Sequence, residues 1–256
     1  MTRHRYLIAL FAALALGACS ETAVQDITGP IPSARVKFFN FGVNAPAVNF
    51  YANDAKMTAI SSTTGIESTN GVSYGAVGSG GYYAAVEPGA YTLTGRISAT
   101  VDKDLIIASV PATVADGASY SLYLSGFYNT TTKTVDGFVV QDDYPAAIDF
   151  SMAYVRFVHA ISNANPLTLY ARNTLTLTEV PVGAEIAYRG AGAFVAVPSG
   201  VYDLGARYAG VSTNAFGRTA VSFAAGRVYT IGARGDITVT STTATNRPFL
   251  DNTANR

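Results

Sequence analysis

The 256-residue chain has no tryptophan, one cysteine (Cys19) and two histidines (His4 and His159). A single thiol forms no internal disulfide, and two histidines build no multi-histidine metal centre. Charge is scarce too. Asp, Glu, Lys and Arg make up 13% of the residues, and the 17 basic side chains only balance the 17 acidic ones. That balance lacks the positive excess with which proteins hold nucleic acid, so no nucleic-acid partner is expected. The apolar run at Tyr6–Leu16 falls short of the roughly 20 residues that a membrane-spanning helix needs. Nothing after it carries the 3.6-residue period of a three-turn amphipathic helix. What remains is rich in Tyr, Thr, Val and Gly. β-branched and aromatic residues favour strands, and Gly and Pro punctuate turns, so the expected class is all-β.

Arg3 and Arg5 precede the apolar run, and Leu16-Gly17-Ala18-Cys19 closes it with small residues. A charged start, a short apolar core and a small-residue end describe a secretory signal peptide over residues 1–18. The closing four residues resemble the bacterial lipobox. The resemblance implies diacylglycerol on the Cys19 sulfur, cleavage before Cys19, and a membrane attachment through that lipid. Ser20 follows rather than Asp, which resembles lipoproteins sent on to the outer membrane. The expected location is the cell envelope, lipid-anchored at the outer membrane on its periplasmic or surface face. A lipidated Cys19 leaves the mature chain without a thiol. Loss of residues 1–18 also removes His4, Arg3 and Arg5, leaving 15 basic against 17 acidic side chains, a net charge of about −2.

The mature chain writes one stretch twice. Residues 34–53, ARVKFFNFGVNAPAVNFYAN, align without a gap with residues 153–172, AYVRFVHAISNANPLTLYAR. Repetition on this scale means two copies of one domain. In the first copy Val36, Phe38 and Asn40 share one strand face and Lys37, Phe39 and Phe41 the other. Apolar residues on both faces suit a strand inside a packed sandwich. A second signature pairs YYAAVEPGAYTLTGR (82–96) with AFVAVPSGVYDLGAR (193–207), matching Gly89 and Tyr91 to Gly200 and Tyr202. Each is a strand, a tight turn and a strand, where glycine supplies backbone freedom. A third pairs residues 115–126 with 224–235, matching Gly117 and Tyr120 to Gly226 and Tyr229. Short strands at spacings of about 8–12 residues favour an immunoglobulin-like sandwich. The expected layout is a signal peptide (1–18), a tether (19–33), two tandem immunoglobulin-like β-sandwich domains (34–146 and 150–241), and a loose polar tail (242–256).

The strand–Asn-Ala-Pro–strand opening, the Gly-x-Tyr hairpin and the later Gly/Tyr strand together resemble the bacterial family called domain of unknown function 4397. The resemblance spans about residues 34–143 and 153–240. The family's first strand tends to end in Val-His-Ala, kept here as Val158-His159-Ala160 and replaced in the first copy by Phe39-Asn40-Phe41. The resemblance implies tandem domains in a secreted or surface protein. It brings no catalytic residues.

The chain also offers little to a search for chemistry. Gly78-Ser79-Gly80-Gly81 has Val77 where a nucleophile elbow needs glycine, so it reads as a flexible turn. Asp142-Asp143 and Asp102-Lys103-Asp104 are the tight acidic groups; neighbouring carboxylates on a strand point to opposite faces, and both groups read as solvated turns. Tyr82, Tyr83, Tyr74 and Tyr91 could make a sugar-binding platform, although packing is the default for strand tyrosines. His159 lies on the face of Val155 and Phe157, where the first copy has Asn40. Both side chains exchange hydrogen bonds, and both are expected to pin the turn that follows. The expected protein is therefore not an enzyme and carries no cofactor or metal. It is an envelope lipoprotein whose two modules serve binding, spacing or surface structure, with a glycan or an envelope protein as partner. The alternative is an envelope hydrolase acting on glycans through carboxylates.

Overall fold

A computed structural model describes residues 31–58 and 70–255. The signal peptide, Cys19 and most of the tether lie outside these residues, as does part of the Ser/Thr-rich segment after β3.

The described chain is almost entirely β, as its composition predicts. The first copy runs β1 (Ala34–Asn40), β2 (Val48–Ala52), β3 (Ala55–Lys56), β4 (Ala76–Val77), β5 (Ala84–Val86), β6 (Gly89–Ile97), β7 (Ile106–Val114), β8 (Ser119–Asn129) and β9 (Thr134–Gln141). The second runs β10 (Met152–His159), β11 (Thr168–Asn173), β12 (Glu179–Pro181), β13 (Val195–Pro198), β14 (Gly200–Arg207), β15 (Phe216–Phe223), β16 (Val228–Arg234) and β17 (Phe249–Ala254).

Each copy folds as two sheets facing each other. In the first, β4 and β5 flank β1, which leads on to β8 and β9, and the opposing sheet is ordered β3-β2-β6-β7. The second copy repeats the scheme as β13-β10-β16-β17 and β12-β11-β14-β15. The repeat extends to the pairing itself. β1 lies parallel to β8 with Phe38 opposite Leu122, and β10 lies parallel to β16 with Phe157 opposite Ile231. One face of each longer strand fills its own sandwich. Val36, Phe38, Phe50, Leu93, Leu122 and Leu124 are buried in the first core, and Val155, Phe157, Leu169, Leu204, Ile231 and Leu250 in the second.

The sequence's doubly apolar first strand has a specific cause. The outer face of the β1–β8–β9 sheet packs on the outer face of the β10–β16–β17 sheet. Phe39, Phe41, Tyr123, Phe138 and Val140 of the first copy meet Val158 and Ala160 of the second in a third core. The two inner sheets are therefore buried on both sides. Phe39 stacks on Tyr123 with ring centroids 4.4 Å apart, and Tyr123 stacks on Phe138 at 5.3 Å. The facing surface is cut to receive these rings. Where the first copy has Phe39, Phe41 and Tyr123, the second has Val158, Ala160 and Gly232. A Cβ on Gly232 would lie 2.7 Å from the Phe41 ring, closer than side chains approach one another. Large residues on one copy and small ones on the other make the seam specific to this pair.

The expected tail is corrected. Phe249–Ala254 is a strand, paired antiparallel with β16 over six residues from Tyr229↔Ala254 to Arg234↔Phe249. Leu250 is fully buried. The second domain thus runs to residue 255, well past 241. Tyr144, at the end of the first copy, stacks on Phe194 of the second at 5.3 Å.

Candidate functional site

The side chains that the repeat singles out are fastened to backbone. Asn40 and His159 end β1 and β10, both without solvent exposure. Asn40 Nδ2 donates to Pro46 O (3.1 Å) and to Val72 O (2.9 Å). His159 Nδ1 accepts from the Ile161 amide (3.2 Å), which leaves Nε2 to donate to Asn165 O (3.2 Å). Pro46 and Asn165 hold the same place in the two copies. Both side chains therefore tie strand end to turn, and burial holds the His159 pKa below its usual value despite the bond to Asn165. A neutral buried histidine has a cost in acid. Protonation is easier in the unfolded chain, so stability falls as pH drops below about 6.5. His159→Ala is expected to cost about 1–3 kcal/mol at pH 7 by leaving backbone groups unsatisfied. His159→Asn should cost less than about 1 kcal/mol and should blunt the loss below pH 6.5. Urea denaturation of the full chain at pH 7 and pH 5 measures both, and equal losses for Asn and Ala would refute the hydrogen-bond account.

The hairpin tyrosines do similar work. Tyr91 Oη donates to Glu87 O (2.8 Å) and Tyr202 Oη to Pro198 O (2.7 Å), each reaching back across the turn before Gly89 or Gly200. Tyr120 and Tyr229 accept from the Ala115 and Ala224 amides at 3.2 and 3.0 Å. Arg96 and Arg207 sit over Tyr51 and Tyr170 at 4.2 and 4.3 Å. The four tyrosines weighed as a sugar platform go to separate tasks. Tyr82 is exposed, Tyr74 lies against Arg234, Tyr91 closes its hairpin, and Tyr83 enters the seam.

The seam holds the one dense group of buried charges among the described residues. Lys37 on β1 and Arg156 on β10 are the same position of the repeat, pointing away from their own cores into the space between the inner sheets. Arg156 Nη2 pairs with Asp142 Oδ1, Nη1 donates to Gln141 O (3.0 Å) and Nε to Thr230 Oγ1 (3.0 Å). Asp142 Oδ2 accepts from Ser121 (2.8 Å) and Tyr83 (2.6 Å). Tyr83 Oη also meets Tyr144 Oη. Burial, then the Asp142 charge, drives the Tyr83 pKa far upward, so its phenol stays a donor. Lys37 Nζ donates to Asn255 Oδ1 (2.8 Å) and lies 4.3 Å over the Tyr83 ring. Burial lowers the Lys37 pKa to about 8; Asp142 opposes that shift and Arg156 adds to it.

This corrects the solvated-turn reading of Asp142-Asp143. Asp142 is 3% exposed and sits under Arg156, while Asp143 is exposed and accepts from Gln141 Nε2 (2.6 Å). The carboxylates diverge, as adjacent strand residues should. Arg156 and Asn255 went unnoticed in the sequence, where Lys37 was read only as a strand-face residue and Tyr83 only as part of a platform. The signal that could have singled out Lys37 and Arg156 is a basic residue repeated at one position on an otherwise apolar strand face. Beside the cluster a cleft of about 460 Å³ opens between Arg35, Tyr83, Asp143, Tyr144 and Asn255.

The second sandwich, with its inner-sheet arginine and its closing strand, is where a known family registers. Residues 153–255 match the family described as Domain of unknown function (DUF4397). The DUF4397 match contains Val158-His159-Ala160, the strand end that the family tends to keep, and runs through β17. The family's domain thus includes the strand that the sequence alone left as tail. No curated protein matches the chain.

Proposed function

We propose that the protein is a non-catalytic lipoprotein of the cell envelope, anchored at the outer membrane through Cys19, whose two sandwiches act together as one binding, spacing or surface element. The observation that carries this reading is the seam. Asp142, the buried carboxylate best placed for chemistry, spends both oxygens on Arg156, Ser121 and Tyr83. A general acid or base needs an oxygen free to meet substrate, whereas a carboxylate satisfied on all sides suits a joint between domains. The first sandwich, with the same strand order and register as the second, is read as a further copy of the same family. The glycan hydrolase alternative would require Asp142 to leave its arginine. A glycan or an envelope protein remains the partner class proposed for the exposed surface.

The anchor is tested by labelling. Cells fed a tagged fatty acid should incorporate it into the wild-type chain and lose all of that label in Cys19→Ser, with the variant released from the membrane fraction or left unprocessed. A wild-type chain that takes up no label would overturn the lipoprotein reading.

A further inference from the structure

We propose that Lys37 and Asn255 condense into an intramolecular isopeptide bond, Lys37 Nζ joining Asn255 Cγ, which closes the chain covalently across the seam. The two groups already touch, 2.8 Å apart across 218 residues of sequence. One stands on β1 of the first sandwich and the other just beyond β17 of the second.

The surroundings prepare both partners. Lys37 is fully buried, and a buried ammonium is costly unless a charge compensates it. The carboxylate acting on it, Asp142, is already bound to Arg156, Ser121 and Tyr83. Burial brings the Lys37 pKa to about 8. At pH 7 roughly a tenth of the side chain is then the free amine, which is the nucleophilic form. Asn255 is held on its other side, where Nδ2 donates to Thr230 Oγ1 at 2.6 Å. Thr230 is itself fixed by Arg156 Nε. The carboxamide is thus clamped with its carbonyl toward the amine and its nitrogen toward a hydroxyl. Proximity of this kind is what turns a slow encounter into an intramolecular reaction.

The chemistry balances without any further reagent. The Nζ lone pair adds to Cγ and the carbonyl electrons move onto Oδ1. Collapse of that adduct breaks the Cγ–Nδ2 bond. The hydrogen that Nζ gives up leaves with Nδ2 as ammonia. An amine and a primary amide become a secondary amide, and nothing is oxidised or reduced. The product also removes a buried charge, which favours it over the starting pair.

Tryptic digestion of the purified full chain, with mass spectrometry, decides the matter. In the wild type, peptide 36–56 should appear joined to peptide 235–256, about 17 Da lighter than their sum for the ammonia lost. Trypsin should fail to cut after Lys37. Lys37→Met and Asn255→Ala should each abolish the joined peptide. Recovery of a cut at Lys37 together with free, unmodified 235–256 from the wild type would overturn the proposal. That result is independent of the fatty-acid label, so the bond and the anchor stand or fall separately.

Discussion

Asp142→Ala is expected to destabilise the full chain by about 3–5 kcal/mol, the range seen when one partner of a buried ion pair is removed. The substitution leaves Arg156, 1% exposed, without its counter-charge. Arg156 cannot shed its proton to escape, since a guanidinium stays charged in proteins. Ser121 and Tyr83 lose their acceptor at the same stroke. The control is the neighbour: Asp143→Ala removes an exposed carboxylate and should fall within about 0.5 kcal/mol of the wild type. The pair can also be removed together. Asp142→Leu with Arg156→Met exchanges two buried charges for apolar groups of similar size, and such exchanges are often neutral or stabilising. The double variant should therefore recover the part of the loss that comes from the unpaired arginine. Urea denaturation of the four proteins measures each difference. If Asp142→Ala unfolds within about 1 kcal/mol of the wild type, the pair does not hold the seam.

How far the sequence showed this can be judged from single residues. Alternation along Ala34–Asn40 predicted β1, and apolar residues on both of its faces predicted a buried sheet. Neither said what would cover the second face. That information lies in a comparison of the copies: Phe39, Phe41 and Tyr123 against Val158, Ala160 and Gly232 are complementary only when the two surfaces are laid together. Asn40 and His159 were legible because a repeat marks equivalent positions, and their position at a strand end beside a turn limits what a buried polar group can bond. Asp142 was misread for the converse reason. Next to Asp143 and Tyr144 it has the composition of a solvated turn, and its arginine comes from the other copy. Local pattern carries no information about partners supplied across a domain seam. β17 was missed because FLDNTA is polar and alternates weakly. Its strand character comes from the unpaired edge of β16, and a 14-residue connection from Gly235 to Pro248 separates the two. The first copy joins the equivalent strands, β8 and β9, by a short turn, so the spacing gave no warning.

Removing β17 should have the larger consequence. A chain ending at Thr243 loses six paired residues along β16 and leaves that edge of the inner sheet open. It loses Leu250, which has no solvent exposure, and a buried leucine alone is worth about 2–5 kcal/mol against alanine. Arg234 loses Asp251 while still buried among Phe41 and Tyr74. Lys37 and Thr230 both lose Asn255. Together these losses approach the 5–15 kcal/mol that holds a typical domain folded. The expected result is a chain without a cooperative thermal transition, prone to associate through the bare strand edge. Leu250→Ala in the full chain grades the effect, with an expected loss of about 2–5 kcal/mol and the cooperative transition retained. Calorimetry on the three proteins separates the outcomes. A truncated chain that melts cooperatively within about 5 °C of the full one would place β17 outside the cooperative unit, and the second domain would then end where β16 does.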